Sequence, residues 1–224
     1  MSDELLLGEL DVDSALEQAI AALHGETRAT FLRRAVVGGA VLLGAGAAPA
    51  QAAVDSRDEA ILNYALTLEY IQEAFYGEVE RIGALKGGLA EQARVVGAHE
   101  RAHVKAFRQV LGDKAVKRPR FDFRGATENG DRFRRTAVAF EDLAVAAYKG
   151  QAPLIQARAY LVPALAIHTV EARHAAWIRR LAGLTPAAHA FDEPRSRKST
   201  LGIVASTKFE VMKASSRRRP KFTG

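Results

Sequence analysis

The chain has 224 residues, of which 48% are hydrophobic and 26% charged, so one globular domain with a substantial core is expected. It contains no cysteine, which excludes a disulfide, an iron–sulfur cluster held by thiolates and a thiolate zinc site. The net charge of +6 is uneven: residues 1–52 carry a net −4 and residues 195–224 a net +8. The basic character therefore belongs to the C-terminal tail rather than to the domain.

Residues 1–52 are predicted to be an export signal behind an acidic leader. The apolar run at residues 35–48 is too short to span a bilayer comfortably, follows a basic flank and precedes A-x-A sites for cleavage after Ala50 or Ala52. The segment 27–33 resembles a twin-arginine signal, with alanine in place of the second arginine. We expect a protein exported to the periplasm, the cell envelope or the extracellular space. The alternative is a buried or membrane-peripheral helix on a cytosolic protein.

Residues 53–194 are predicted to form an all-α domain. Apolar residues recur three and four positions apart, as on the buried face of an amphipathic helix. The expected helices cover residues 56–82, 89–111, 132–150 and 153–181. The short first and third connections predict two antiparallel hairpins, and the long basic connection between them predicts a four-helix bundle with one long crossover.

Local signals predict where these helices begin. Ser56 and Glu59 form a capping-box pattern at the first helix, and Asp131 is the expected N-cap of the third. Pro153 fits the first turn of the fourth helix, where its missing N–H costs nothing. Pro163 is expected to kink that helix.

Acidic residues and histidines interrupt the four apolar stripes. An isolated carboxylate in a dry core costs several kcal/mol, so a cluster of them requires cations to offset the charge. Glutamates on the first and third helices each precede a Glu-x-x-His on the next helix by about the same distance, and this pattern is known from di-iron and di-manganese bundles. The predicted ligands of two divalent metal ions, iron or manganese, are Glu69, Glu100, His103, Glu141, Glu171 and His174.

The stretch His99-Glu100-Arg101-Ala102-His103 also matches the HExxH pattern of zinc proteases. In the second copy of the motif, Val170 stands where His99 stands in the first. A zincin needs both histidines, so the repeated element is ExxH and His99 is predicted to be incidental.

Several inward-facing residues remain open to a second interpretation. Glu73 lies one turn beyond Glu69 on the same helical face and is its rival as a ligand. His168 is either a hydrogen-bond partner of a ligand or a satisfied core histidine. Tyr148 and Tyr160 are open to contact with a carboxylate or to electron relay. The favoured interpretation is that both pack in the core with a bonded hydroxyl.

Five segments resemble the ferritin-like proteins related to plant desiccation-related proteins. They are ILNYALTLEYIQEAFYGEVERIG, VGAHERAHVKAFRQVLG, AFEDLAVAAYKGQAPLI, IHTVEARHAAWIRRLAG and AFDEP, which together cover about residues 56–194. The resemblance implies a ferritin-like bundle and the same six metal ligands. Bacterial members commonly carry export signals, in agreement with the leader.

Three functions compete on this basis. The first is a di-metal oxidoreductase that reacts with O2 or peroxide in stress protection, as a ferroxidase or a peroxide-consuming enzyme. The second is non-catalytic metal binding or storage, and the third is an envelope interaction protein whose metal is structural. The tail at 195–224 is expected to be partly disordered and could bind an anionic envelope surface; it lacks the interleaved aromatic residues that favour nucleic acid. A homo-oligomer and a metal-free bundle with buried Glu–His pairs are left open.

Overall fold

The computed structural model describes residues 54–211, so the predicted export signal and the last part of the basic tail lie outside the described residues. Four long helices dominate: α1 Ser56–Ile82, α2 Gly87–Leu111, α3 Gly130–Gln151 and α4 Arg158–Leu181. α1 packs chiefly on α2, and α3 on α4. The predicted bundle of two hairpins and one long crossover is confirmed. None of the described helices is long and apolar enough to cross a membrane.

The apolar core is divided into two layers by the middle of the bundle. One layer centres on Phe75, whose ring centroid lies 5.4 Å from that of Phe133 and 5.2 Å from that of Phe140. The other contains Leu66 and Phe107 and lies toward the opposite end of the helices. In α2, α3 and α4 the predicted acidic ligand falls between the residues that enter these two layers, and in α1 Glu69 lies two residues before the change from one layer to the other. The charged cluster is therefore enclosed above and below by packed apolar side chains.

Two of the predicted N-caps are wrong by one or two positions. Asp55 caps α1 in place of Ser56, and its carboxylate accepts the backbone N–H of Arg57. Asn129 caps α3 in place of Asp131, and its side-chain oxygen accepts two backbone N–H groups. In both cases a neighbouring residue of the same capping type takes the role, because Asp, Asn and Ser are nearly equivalent at this position.

The start of the fourth helix also differs from the prediction. Pro153 lies in a separate 3₁₀ turn, Ala152–Leu154, and α4 begins at Arg158. The carboxylate of Asp58, from the first turn of α1, accepts the backbone N–H groups of Gln156 and Ala157 at 2.9 Å each. The connection into α4 is thus held by a side chain from another helix. Pro163 lies inside α4 as expected.

The Asp58 contact leads to a prediction about stability. Asp58 is fully buried, and hydrogen bonds to a charged group each contribute roughly 1.5–3 kcal/mol, so Asp58→Ala should lower the free energy of unfolding by about 3 kcal/mol. Urea unfolding followed by circular dichroism measures this. Asp113→Ala, at an exposed position, is the control and should change stability by less than about 0.5 kcal/mol. Equal effects of the two changes would contradict the role given to Asp58.

Part of the basic tail forms structure that the sequence did not predict. Helix α5, Arg197–Thr207, packs on α3, with Thr200 fully buried. Strand β2, Glu210–Val211, pairs antiparallel with β1, Arg120–Phe121, in the crossover. Phe209 adds ring contacts to the core at 5.4 Å from Phe123. Residues 195–211 therefore tie the crossover to the bundle.

Candidate metal centre

All six predicted ligand residues meet at the middle of the bundle. α1 supplies Glu69 and α3 supplies Glu141, while α2 and α4 each supply a glutamate and a histidine three residues apart. That spacing places the two side chains side by side on one helical face. Each of the six is at most 8% exposed, and three of the glutamates are fully buried.

The six residues form two overlapping groups of four. In each group the candidate ligand atoms lie within 4.8 Å of one another. We call the first the His103 half, which comprises Glu69, Glu100, His103 and Glu171. The second is the His174 half, which comprises Glu100, Glu141, Glu171 and His174. Glu100 and Glu171 belong to both halves, as carboxylates that bridge two ions would.

Both histidines direct Nδ1 at the carboxylates. Nδ1 of His103 lies 3.1 Å from Glu69 Oε2 and 3.1 Å from Glu171 Oε1. Nδ1 of His174 lies 3.3 Å from Glu100 Oε1 and 3.5 Å from Glu141 Oε2. Each ring nitrogen is therefore surrounded by oxygen atoms at distances that a shared cation could bridge.

A tyrosine orients each of the two outer carboxylates. The hydroxyl of Tyr148 on α3 donates to Glu69 on α1, and the hydroxyl of Tyr76 on α1 donates to Glu141 on α3. Each tyrosine follows the glutamate of its own helix by seven residues and binds the glutamate of the other. Of the two interpretations of Tyr148, contact with a carboxylate holds, and its ring also packs in the core.

Burial and the close approach of charged groups shift the pKa values of three of the clustered glutamates in the metal-free protein. Burial raises the pKa of Glu100 well above its usual value, and the charges of Glu171 and Glu69 raise it further. Burial likewise raises the pKa of Glu141, to about 7, against the lowering influence of His174. Burial alone would raise the pKa of Glu171 too, but the imidazole rings of His103 and His174 close beside it outweigh burial and hold that pKa below its usual value.

The two histidines are charged in the same state. Burial tends to lower the pKa of His103, yet the charge of Glu69 and hydrogen bonds to its neighbours raise it well above the usual value. For His174 burial is again outweighed, here by the adjacent carboxylates of Glu100, Glu141 and Glu171, and the pKa rises to about 12. The positive charge favoured on the two histidines thus offsets part of the negative charge of the glutamates.

The residues fit a pair of divalent cations. Six of their buried atoms have no hydrogen-bond partner: both carboxylate oxygens of Glu100 and of Glu171, one oxygen of Glu141 and Nδ1 of His174. Buried polar atoms normally have partners, and a role in binding an ion is a recognised reason for a group that has none. Oxygen and imidazole ligands in this number suit iron or manganese. The assignment of the six as metal ligands remains a prediction.

Three other polar residues of these helices lie outside both halves of the cluster. Glu73, the rival of Glu69, forms a salt bridge with Arg118 of the crossover and belongs to neither half. His168 is half-buried and lies outside both halves, and burial lowers its pKa. His99 is not incidental: its Nδ1 lies 2.8 Å from Nε2 of His174. Sequence reasoning missed His99 because it adjoins the buried stripe without belonging to it.

Comparison with known proteins agrees with this geometry. Residues 57–184 match the family model described as a ferritin-like domain, which is more than half of the chain. The match spans all six predicted ligands and ends just after α4. A search of curated proteins found no match.

Proposed function

The chain belongs to the ferritin-like domain family, and from this membership and its buried cluster we propose that it binds two divalent metal ions, iron or manganese, and reacts with O2 or peroxide. The observation that carries the proposal is the sharing of Glu100 and Glu171 between two groups of four ligands. Two separate mononuclear sites would not share carboxylates. A pair of ions close enough to share them can give up two electrons together, one from each ion.

The protein's own residues have three tasks in this proposal. The two shared glutamates would hold both ions, while Glu69 with His103 would hold one of them and Glu141 with His174 the other. Tyr76 and Tyr148 fix the outer carboxylates by hydrogen bonds. The apolar layers on either side exclude bulk water, which strengthens electrostatic interactions within the site. When bound, the metal pair supplies the electrons for reduction of O2 or peroxide.

Location and physiological role belong to the same proposal. An export signal over residues 1–52 would deliver the protein to the periplasm, cell envelope or extracellular space. There, removal of peroxide or of Fe(II) would protect against oxidative stress, in keeping with the resemblance to desiccation-related proteins. A basic C-terminal tail would favour an anionic envelope surface.

Iron oxidation tests the proposed reaction. Metal-free protein loaded anaerobically with two equivalents of Fe(II) and mixed with oxygenated buffer in a stopped-flow instrument should form Fe(III) faster than free Fe(II) does. Hydrogen peroxide in place of O2 tests the second oxidant. A rate equal to that of the protein-free blank with both oxidants would remove the redox function, and metal content after dialysis would then show whether binding alone survives.

A further inference from the structure

The two halves of the metal centre are related by an internal repeat. Glu100 corresponds to Glu171 and His103 to His174, each pair separated by 71 residues. The ligands themselves are therefore equivalent in type and spacing. Differences between the halves must come from the residues around them.

His99 contacts His174, the histidine of the second half. Its ring stacks on that of His174, with centroids 5.1 Å apart and planes inclined by 16°. Nδ1 of His174 faces the carboxylates, so Nε2 is the nitrogen left to pair with Nδ1 of His99 at 2.8 Å. With His174 bound to a metal through Nδ1, Nε2–H donates and His99 accepts. Such a bond fixes the ring and makes the other nitrogen a better ligand.

In the other half, the residue that corresponds to His99 cannot give this support. Val170 occupies the position that corresponds to His99, and its side chain neither donates nor accepts a hydrogen bond. His103 is also the more exposed histidine, at 8% against 3% for His174. The repeat is thus broken at this position, and the break favours His174.

A second support on α2 serves the same half. The side-chain amide of Gln92 lies 3.5 Å from the hydroxyl of Tyr76, which donates to Glu141. The position that corresponds to Gln92 in the repeat is Pro163, whose side chain has no donor. Gln92 and His99 are two helical turns apart on α2, so one face of this helix orients both outer ligands of the His174 half.

We propose that His99 is a positioning residue that makes the two metal positions unequal, so that the first divalent ion binds in the His174 half. The inference rests on the proposed metal pair and adds an order of filling to it. Repulsion between two cations weakens the second binding step in either half, but it does not choose which half fills first. Loss of a hydrogen-bond partner of a ligating histidine typically lowers metal affinity about 10–100-fold, which is enough to make that choice.

Occupancy at limiting metal tests the order directly. Crystals of the metal-free protein are soaked with less than one equivalent of Co(II), and anomalous scattering is measured at the two positions. The expected result is a peak beside His174 at least several times stronger than the peak beside His103. Equal peaks, or a stronger peak beside His103, would overturn the proposal. Absence of Co(II) from both positions would instead defeat the proposed metal centre itself.

Substitutions assign the preference to His99. His99→Leu should lower the affinity of the tighter Co(II) step about 10–100-fold in a calorimetric titration and equalise the two peaks. His99→Asn should preserve the preference, because its side-chain oxygen lies where Nδ1 of histidine lies. Val170→Leu, at the corresponding position of the other half, is the matched control and should leave the tighter step unchanged. A loss with His99→Leu that His99→Asn does not restore would show that His99 acts only through packing.

Discussion

Replacement of Glu171 by glutamine is expected to abolish binding of both metal ions. Glu171 belongs to both groups of four ligands, and Nδ1 of His103 lies 3.1 Å from one of its oxygens. Glutamine keeps the shape of the side chain but removes the negative charge and one anionic oxygen. Because Glu171 is proposed to contact the ions directly, the loss of affinity should exceed the roughly 100-fold that follows from loss of a ligand's hydrogen-bond partner. Metal content after equilibrium dialysis against Mn(II) should fall from two ions per chain to nearly none.

Two further glutamates make this experiment specific. Glu69→Gln should cost chiefly the ion of the His103 half, because Glu69 belongs to that group alone. Glu73→Gln is the matched control on the same helix, since Glu73 pairs with Arg118 away from the cluster and should retain both ions. If Glu171→Gln retained both ions, or if Glu73→Gln lost one, the assignment of the shared carboxylate would be wrong.

Helical periodicity was sufficient to predict the bundle and to predict that the six proposed ligands lie together in its core. Each of the four stripes is long, and an acid that interrupts an apolar stripe must face the same core as its neighbours. Periodicity could not separate Glu69 from Glu73, which lie one turn apart on one face. What separates them is Arg118, which reaches Glu73 from the crossover, 45 residues further along the chain. Such a contact has no local signal.

Some features that the sequence did not predict depend on contacts between residues far apart in the chain. Others depend on a choice between neighbouring residues of similar capping strength. His99 meets His174 across 75 residues, and nothing in the HExxH pattern indicates that partner. Helix α5 is short and weakly amphipathic, and it is ordered by burial of Thr200 against the bundle. Asp55 and Ser56 are adjacent residues of similar capping strength, so only the folded backbone selects between them. The missed details are thus those that tertiary structure decides.

A rise in pH is expected to change the stability of the metal-free and the metal-loaded protein in opposite directions. In the metal-free state the pKa of His174 is about 12 and that of Glu141 about 7, both above their usual values. Groups with a raised pKa stabilise the fold fully below their unfolded pKa and lose that contribution as the pH rises toward the folded one. Between pH 6 and pH 8 the native metal-free protein therefore binds more protons than the unfolded chain. Its stability should fall by about 1.4 kcal/mol per pH unit for each extra proton.

Metal binding reverses this dependence because the ligands must lose their protons. With Mn(II) bound, the carboxylates are ionised and the histidines neutral at Nδ1, so raising the pH favours the loaded native state. After chelation, the melting temperature should fall from pH 6 to pH 8. With Mn(II) it should rise or stay level. The difference in melting temperature between the loaded and the chelated protein should therefore widen as the pH rises. Glu171→Gln, which cannot hold the pair, should melt at the same temperature with and without Mn(II). A difference that is constant or shrinks with rising pH would show that the cluster does not exchange protons for metal, because only that exchange gives the two forms opposite slopes.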